Sequence, residues 1–317
     1  KNVGVELTVN TVNFSTKKFS WNTTLTLSHN KNSVKALTGE AVQLYEAKFG
    51  FNQNTHRIAV GEPLGQFYGY ITEGLYQVDD FNYDASTQTY TLKDGVPYHG
   101  DKGQIRPGMW KFKNLTGDDN VIDENDKTVI GNAQPKFYGG LNNSFTYKGF
   151  DLSIFLTFSY GNEVLNATKL VTSKVGSLNY NALDVMNSSN RWMTINSDGQ
   201  KVTDPGELAA LNVGKTVAAY HDAQQGDNYI HSWAVEDASY LKLSNVTLGY
   251  TFPKNLIARV GLKNLRLYAT GNNLLTWTKY SGFDPEVSTM KSGLTPGVDF
   301  GAYPLSRSFI FGLNVAF

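Results

Sequence analysis

The sequence contains no cysteine, which excludes a disulfide framework and a thiolate metal site. No stretch approaches the ~18 consecutive apolar residues that a membrane-spanning helix needs, so a helical membrane protein is also excluded. Basic and acidic side chains balance at 28 each, so net charge predicts binding neither to nucleic acid nor to anionic lipid. None of these absences excludes a membrane β-barrel, whose strands need only about ten residues each, every second one apolar.

Aromatic residues and glycine are abundant, with 18 Tyr, 18 Phe, 5 Trp and 30 Gly. Aromatic and β-branched side chains favour strands, whereas Gly and Asn favour the turns between strands. The composition therefore indicates an all-β fold. The chain opens at Lys1, without Met or an apolar signal segment, from which we expect that processing or truncation has removed what came before.

Apolar and polar residues alternate along several runs. From Phe150 to Tyr160 the even positions are apolar or aromatic and the odd ones mostly polar. Phe137 to Tyr147 behaves in the same way, and Lys148 and Gly149 predict a tight turn between the two runs. Further runs of this type are 4–11, 21–28, 64–77, 245–252, 265–270 and 309–317. We count about eight strands, most of them near the ~9 to 11 residues that cross a tilted bilayer.

Alternation alone fits both a membrane barrel and a soluble β-sandwich, in which the apolar face packs against a second sheet. Two features favour the barrel. The connections have unequal lengths, with a tight turn at 148–149 and long segments at 161–239 and 278–304, as in outer-membrane barrels with long outside loops. Aromatic residues also mark the strand ends, where interfacial girdles lie; they are Trp21, Tyr147, Phe150, Tyr160, Tyr250, Phe252 and Phe317.

Five segments resemble the SusC/RagA-like TonB-dependent transporters, in the order of that family. They are GEPLGQFYGYITEGLYQ (61–77), GDDNVIDENDKTVIGNAQPKFYGGLNNSFTYKGFDLSIF (117–155), DASYLKLSNVTLGYTFP (237–253), LRLYATGNNLLTWTKYSGFDPE (265–286) and YPLSRSFIFGLNVAF (303–317). The resemblance implies an antiparallel transmembrane barrel of about 22 strands, of which residues 1–317 supply the C-terminal third, with long extracellular loops. It places the plug domain and the TonB box outside this chain. An eight-stranded barrel that closes on itself is the alternative architecture.

The resemblance further implies import of oligosaccharides or oligopeptides across the outer membrane of a Gram-negative bacterium. The implied partners are a SusD-like lid lipoprotein, TonB (through the absent N-terminal region), the rest of the barrel and plug, and outer-membrane lipid, with a dimer of the transporter–lid pair as a further expectation. The resemblance implies no enzyme activity, no required cofactor and no nucleic-acid partner. Two alternatives remain at this stage, a structural barrel that anchors a surface complex and a soluble β-sandwich carbohydrate-binding module.

Aromatic residues in the long 161–239 segment are candidates for contact with substrate or with the lid protein: Trp192, Tyr220, Tyr229 and Trp233. Their amphipathic rings suit a sugar face or a protein surface, but they also suit packing of the loop onto itself. Residues 163–176 have helical spacing and predict a short helix in this loop.

Oxygen-bearing side chains crowd into 13 residues and predict a calcium loop, with calcium as the one candidate ion. They are Asn114, Thr116, Asp118, Asn120, Asp123 and Asp126. The match to an EF-hand loop is imperfect, because Asn replaces the first Asp and Asp119-Asn120 stands where Gly makes the sharp turn. A solvated acidic turn is the alternative.

Other polar residues carry no catalytic pattern. The five histidines are scattered without metal-ligand spacing and are expected in loops or the lumen. Asp284 and Glu286 lack a third group to tune them as a hydrolytic pair. The GNN at 271–273 is expected to make a turn at the outer end of a strand.

Strand parity, that is, whether the number of strands before 64–77 is odd or even, is open, because residues 30–63 have room for one more strand. The terminal Phe317 is the predicted barrel-assembly signal.

Overall fold

The computed structural model describes residues 1–39, 42–46, 54–117, 119–173, 181–219, 229–289 and 292–317. The strands, in chain order, are β1 (Asn2–Ser15), β2 (Phe19–Asn32), β3 (Val42–Glu46), β4 (Asn54–Ala59), β5 (Gln66–Gly69), β6 (Thr72–Leu75), β7 (Phe81–Asp84), β8 (Thr89–Leu92), β9 (Tyr98–His99), β10 (Trp110–Phe112), β11 (Val121–Ile122), β12 (Thr128–Asn132), β13 (Phe137–Tyr147), β14 (Phe150–Tyr160), β15 (Glu163–Asn166), β16 (Val235–Asp237), β17 (Tyr240–Thr251), β18 (Asn264–Thr278), β19 (Val298–Asp299) and β20 (Ser308–Ala316).

The helices are short. The α-helices are α1 (Ala167–Thr172), α2 (Pro205–Leu211) and α3 (Lys254–Ile257), and the 3-10 turns are Val78–Asp80, Lys102–Gln104, Glu124–Asp126, Asp184–Met186, Ser232–Ala234 and Ala258–Val260. The helix predicted at 163–176 begins only at Ala167, because Glu163–Asn166 forms β15 and Asn166 caps the helix. In the described part of the chain, no helix has the length and apolar content needed to cross a membrane.

Seven long strands form one antiparallel sheet, here called the wall, in the order β1-β2-β13-β14-β17-β18-β20. Its strands have between 9 and 15 residues, which is the length that crosses a bilayer at a tilt. The all-β antiparallel prediction is thus confirmed. The predicted eighth strand at 64–77 is wrong, because that run splits into β5 and β6, which belong to two separate small sheets. Three of the four residues of β5 and Leu75 of β6 are buried, so the alternation of this run serves a compact core instead of a membrane.

The pairing register brings most apolar residues of the seven strands onto one face. Residues directly opposite each other in an antiparallel pair point to the same side of the sheet. One row across the wall runs Val9, Leu25, Leu141, Leu156, Leu243, Leu275. Another runs Trp21, Phe145, Leu152, Leu248, Ala269, Phe311. The alternation read in single strands therefore continues across the whole sheet.

The apolar face is uncovered in the described structure, as the exposure of Val5 (69%), Leu248 (50%) and Phe311 (81%) shows. A β-sandwich would bury these side chains under a second sheet, so that alternative is wrong. The wall is also open, because β1 and β20 each have only one neighbour in the sheet. The alternative of an eight-stranded barrel closed on itself is therefore wrong as well.

The two ends of the wall differ. At the turn end, residues 16–18, 148–149 and 252–263 join neighbouring strands. At the loop end, the chain leaves the wall for residues 33–136, 161–239 and 279–307, here called the cap. Because β2 leads into the cap at Asn32 and β13 returns from it at Phe137, the described residues between them lie on the loop side. The open question of strand parity is settled by this path: β3 and β4, between 42 and 59, belong to a cap sheet.

A bulge lies in the middle of β17 and β18. The register shifts between Leu243 and Asn245, and Asn273 opposite them has a left-handed backbone with φ of 51°. The prediction of a turn at the outer strand end for 271–273 is therefore wrong. The extra residue reverses the alternation, so that Leu241 and Leu243 on one side of the bulge and Val246 on the other share the apolar face.

Candidate functional site: the polar face of the wall and the cap

Cross-strand hydrogen bonds link side chains on the face opposite the apolar one. The pairs are Ser20–Thr146 (2.6 Å), Asn142–Ser153 (3.1 Å), Thr157–Ser244 (2.6 Å), Asn245–Asn272 (2.7 Å) and Thr247–Thr270 (2.9 Å). Small hydroxyl and amide groups of this kind tolerate contact with water. The polar face can therefore line an aqueous passage while the other face contacts lipid.

Near the turn end, an ion pair crosses the polar face. The Arg266 guanidinium donates to both carboxylate oxygens of Asp151, at 3.1 and 2.6 Å. These residues belong to β18 and β14, so the pair spans the intervening strand β17 above Gly249. A side chain at Gly249 would run into both partners. The glycine thus leaves room for a bidentate bridge that ties three strands together.

At the loop end, the segment after β18 is tied to the wall. Lys242, only 5% exposed, forms an ion pair with Glu286 and lies 4.0 Å from Asp284. The Tyr240 hydroxyl donates to Glu286 at 2.6 Å. These two carboxylates therefore balance a buried ammonium and position the loop.

A second tie joins the 161–239 and 279–307 segments of the cap. Glu236 receives hydrogen bonds from the Ser281 amide and hydroxyl, both at 2.9 Å, and from the Lys169 ammonium at 3.0 Å. Burial alone would raise the pKa of Glu236, but these donors outweigh it and hold the pKa below its usual range. The carboxylate is therefore charged and fixed.

An open cavity of about 530 Å³ lies where the wall meets the cap. Tyr138, Thr157 and Tyr240 line it from the wall, and Glu286 and Ser288 line it from the tethered loop. Aromatic rings, hydroxyls and a carboxylate in one concave surface suit a polar solute such as a sugar or a peptide.

Aromatic side chains form the core of the cap, and the predicted contact residues fall in or beside it. Trp192 is 1% exposed and packs flat against Gly108, whose φ of 87° and missing side chain allow the approach. Its predicted contact with substrate or lid is corrected by this position, since the side chain has no free surface. The loop packs onto itself at this point, which is the alternative weighed for these aromatics.

The other three candidates differ from Trp192. Trp233 is half-buried and packs 4.9 Å from the Trp110 ring, with the Lys169 ammonium 4.1 Å from its centroid. Tyr229 is half-buried against Tyr70 at 4.9 Å. Their contact roles stay predictions. Tyr220 lies outside the described residues.

Three histidines lie in the cap core, which corrects their expected place in loops or the lumen. His56, His99 and His231 are between 0 and 1% exposed. The His231 ring lies 5.3 Å from Phe112 and 4.8 Å from Trp110. Burial, reinforced by the nearby Lys169, lowers the pKa of His231 to about 3, and burial lowers that of His56 to about 4. Both rings are neutral in the folded cap.

Acidification is expected to destabilise the cap. Between the unfolded-state pKa of 6.5 and about 3, the unfolded chain binds a proton that the folded His231 excludes, so stability falls as pH falls through this window. Each pKa unit corresponds to about 1.4 kcal/mol, so the loss amounts to a few kcal/mol. We expect a lower unfolding midpoint at pH 5 than at pH 7. His231→Phe should flatten this dependence, and equal slopes in both proteins would contradict the prediction.

The predicted calcium loop is organised around Asp126, which is buried. Its Oδ1 accepts from the amides of Leu115 (2.6 Å) and Thr116 (2.8 Å) and from the Thr116 hydroxyl, and its Oδ2 accepts from the Asp123 amide at 2.8 Å. Burial would raise the pKa of Asp126, but these hydrogen bonds lower it. The carboxylate is thus already engaged as the acceptor that closes the loop.

Among the remaining candidate ligands, Asp123 accepts from the Asn125 amide at 2.7 Å and from the Asn125 side-chain amide at 3.1 Å. Asn114 accepts from the Thr116 amide at 3.2 Å, and Asn120 has a left-handed backbone with φ of 59°. Asp118 lies outside the described residues. Among the residues that the structure describes, no three His, Cys, Asp or Glu side chains are placed to hold a metal ion. Calcium binding stays a prediction.

The chain is similar over its whole length to TonB-dependent receptors. No family model matches the chain. Two TonB-dependent receptors of Formosa agariphila are 33% and 30% identical to it, over 100% of the chain and 29% and 30% of their own lengths. The TonB-dependent receptor SusC of Bacteroides thetaiotaomicron is 27% identical over the whole chain and 26% of its own length.

Solved structures of the RagAB peptide transporter are similar in fold. One superposes with a TM-score of 0.67 at 20% identity, covering 100% of this chain and 29% of the solved one. Another, of the RagAB peptide importer in the closed-closed state, also gives 0.67 at 19% identity. The chain thus spans less than a third of the length of these relatives.

Proposed function

Since the chain is related over its full length to SusC- and RagA-type TonB-dependent receptors, we propose that it forms the C-terminal part of the barrel wall of an outer-membrane transporter. The complete protein imports oligosaccharides or oligopeptides without breaking a bond in them. A plug domain and TonB box outside residues 1–317 complete it, and a SusD-like lipoprotein covers it from outside. A dimer of the transporter–lid pair belongs to the same proposal.

The observation that carries this proposal is the amphipathic wall. Every backbone group of a membrane-spanning strand must be hydrogen-bonded, and its lipid-facing side chains are predominantly apolar. The register places rows of Leu, Val and Phe on one face, and cross-strand Ser, Thr and Asn pairs on the other. The free edges of β1 and β20 require further strands on both sides, as a larger barrel supplies.

In this arrangement the turn end faces the periplasm and the cap faces the outside. The cap is held rigid by its aromatic core and by the Lys242 and Glu236 ion pairs, so it presents a preformed surface to solute and lid. The cavity beside Tyr138 lies along the polar face at the entrance to the passage. We place the first polar contacts of the transported solute there.

Uptake of labelled oligosaccharides and oligopeptides, in cells with and without the full-length protein, tests the proposal. We expect cells without the protein to lose uptake of one of the two solutes, and cells without TonB to lose uptake of the same solute. The alternative of a barrel that only anchors a surface complex predicts unchanged uptake of both. The solute that is lost identifies the substrate class.

Tyr138→Ala gives a sharper test of the entrance. Tyr138 is 43% exposed, so removing its ring should leave the fold intact but weaken solute binding, lowering uptake at limiting solute about fivefold. Tyr303→Ala is the matched control, because that cap tyrosine is 91% exposed and lies away from the cavity. Equal uptake by both variants, at equal surface levels, would remove Tyr138 from the solute path.

A further inference from the structure

The charges of the chain are separated in space, although the sequence as a whole is neutral. The wall and its turns, residues 1–32, 137–160, 240–278 and 308–317, hold only two of the 28 acidic side chains, Glu6 and Asp151. The same residues hold ten of the 28 basic side chains. The cap is therefore acidic and the wall with its turns is basic.

The turn end concentrates this positive charge. Its three connections carry six basic side chains and no acidic one: Lys17, Lys18, Lys148, Lys254, Arg259 and Lys263. All six residues are exposed. Asp151, the acidic side chain of the wall near these turns, is already bridged to Arg266. We call these six residues the basic collar.

Apolar and aromatic side chains accompany the basic collar. Phe150 and Tyr250 pack at 4.5 Å between ring centroids on the apolar face beside the turns. The 252–263 connection exposes Leu256 (54%) and Val260 (72%), although it buries Ile257. Cations next to exposed apolar groups and an aromatic row are typical of protein segments at a membrane interface.

We propose that the basic collar binds the phosphate groups of anionic phospholipid head groups in the leaflet at the turn end. The inference rests on the proposed function, since it needs the wall to span a membrane. Long Lys and Arg side chains reach head-group phosphates while their stems stay against apolar surface. The collar follows the turn connections across β1, β2, β13, β14, β17 and β18, as a flat lipid surface requires.

The test compares vesicles of neutral phosphatidylcholine with vesicles that contain one third phosphatidylglycerol. The full-length protein is reconstituted into both, and the lipid retained by it is measured by mass spectrometry. The variant K254Q/R259Q/K263Q removes three collar charges. The control K35Q/K113Q/K201Q removes three exposed charges from the cap.

We expect the unmodified protein and the cap control to retain phosphatidylglycerol in preference to phosphatidylcholine. In the collar variant this preference should fall at least about tenfold. High salt should weaken the preference. Equal preference in the collar variant and the control would overturn the inference. The absence of any lipid preference in the unmodified protein would also overturn the inference, and it would favour an acidic protein as the partner of the basic collar. If the unmodified protein cannot be reconstituted into either kind of vesicle, that result would instead contradict the membrane-spanning wall, and hence the proposed function.

Discussion

Leu156→Arg should remove most of the protein from the membrane. Leu156 lies near the middle of β14, between Leu141 and Leu243 on the apolar face. An arginine at the middle of the lipid-facing side of a barrel costs about 2 to 4 kcal/mol, which is a large part of the stability of an ordinary protein. The measurement is the fraction of full-length protein recovered in folded form from the outer membrane.

Ser153→Arg is the matched control for this prediction. Ser153 lies on the same strand but on the polar face, where it donates to Asn142. Its arginine would extend into the aqueous passage, so we expect nearly normal folding and insertion. Equal losses in the two variants would mean that the two faces of β14 meet the same environment, and the assignment of lipid and lumen sides would be wrong.

Trp110→Ala should unfold much of the cap while the wall persists. Trp110 is 6% exposed, and its ring packs 4.8 Å from His231 and 4.9 Å from Trp233. Removing a buried indole costs about 3 to 5 kcal/mol, from lost contacts and the cavity left behind. We expect faster hydrogen exchange or proteolysis across the cap, with the strands of the wall still protected.

Val213→Ala serves as the control for the cap, because Val213 is 81% exposed and its truncation should cost almost nothing. If Trp110→Ala leaves cap protection unchanged, the cap core contributes no stability of its own. If wall and cap lose protection together, the two parts unfold as one unit, and the cap is not an independent element.

The sequence by itself determined the wall. A strand places successive side chains on opposite faces, so the alternation in runs such as Phe150 to Tyr160 gives both the element and its apolar side without knowledge of any partner. The tight turn at Lys148 and Gly149 then fixed the pairing of β13 with β14. Long connections were visible as long stretches between these runs.

Only the tertiary structure decided the rest, because it depends on residues far apart in the chain. The run 64–77 alternates as a wall strand does, yet its neighbours in space make it part of the cap. From the sequence, Trp192 and His231 are expected in loops, but in the fold Trp192 packs against Gly108 and His231 packs against Trp110. The balance of 28 basic and 28 acidic side chains does not predict the basic collar, because a net charge does not say where the charges lie. Only the fold brings the three turns, distant in sequence, to one end of the wall.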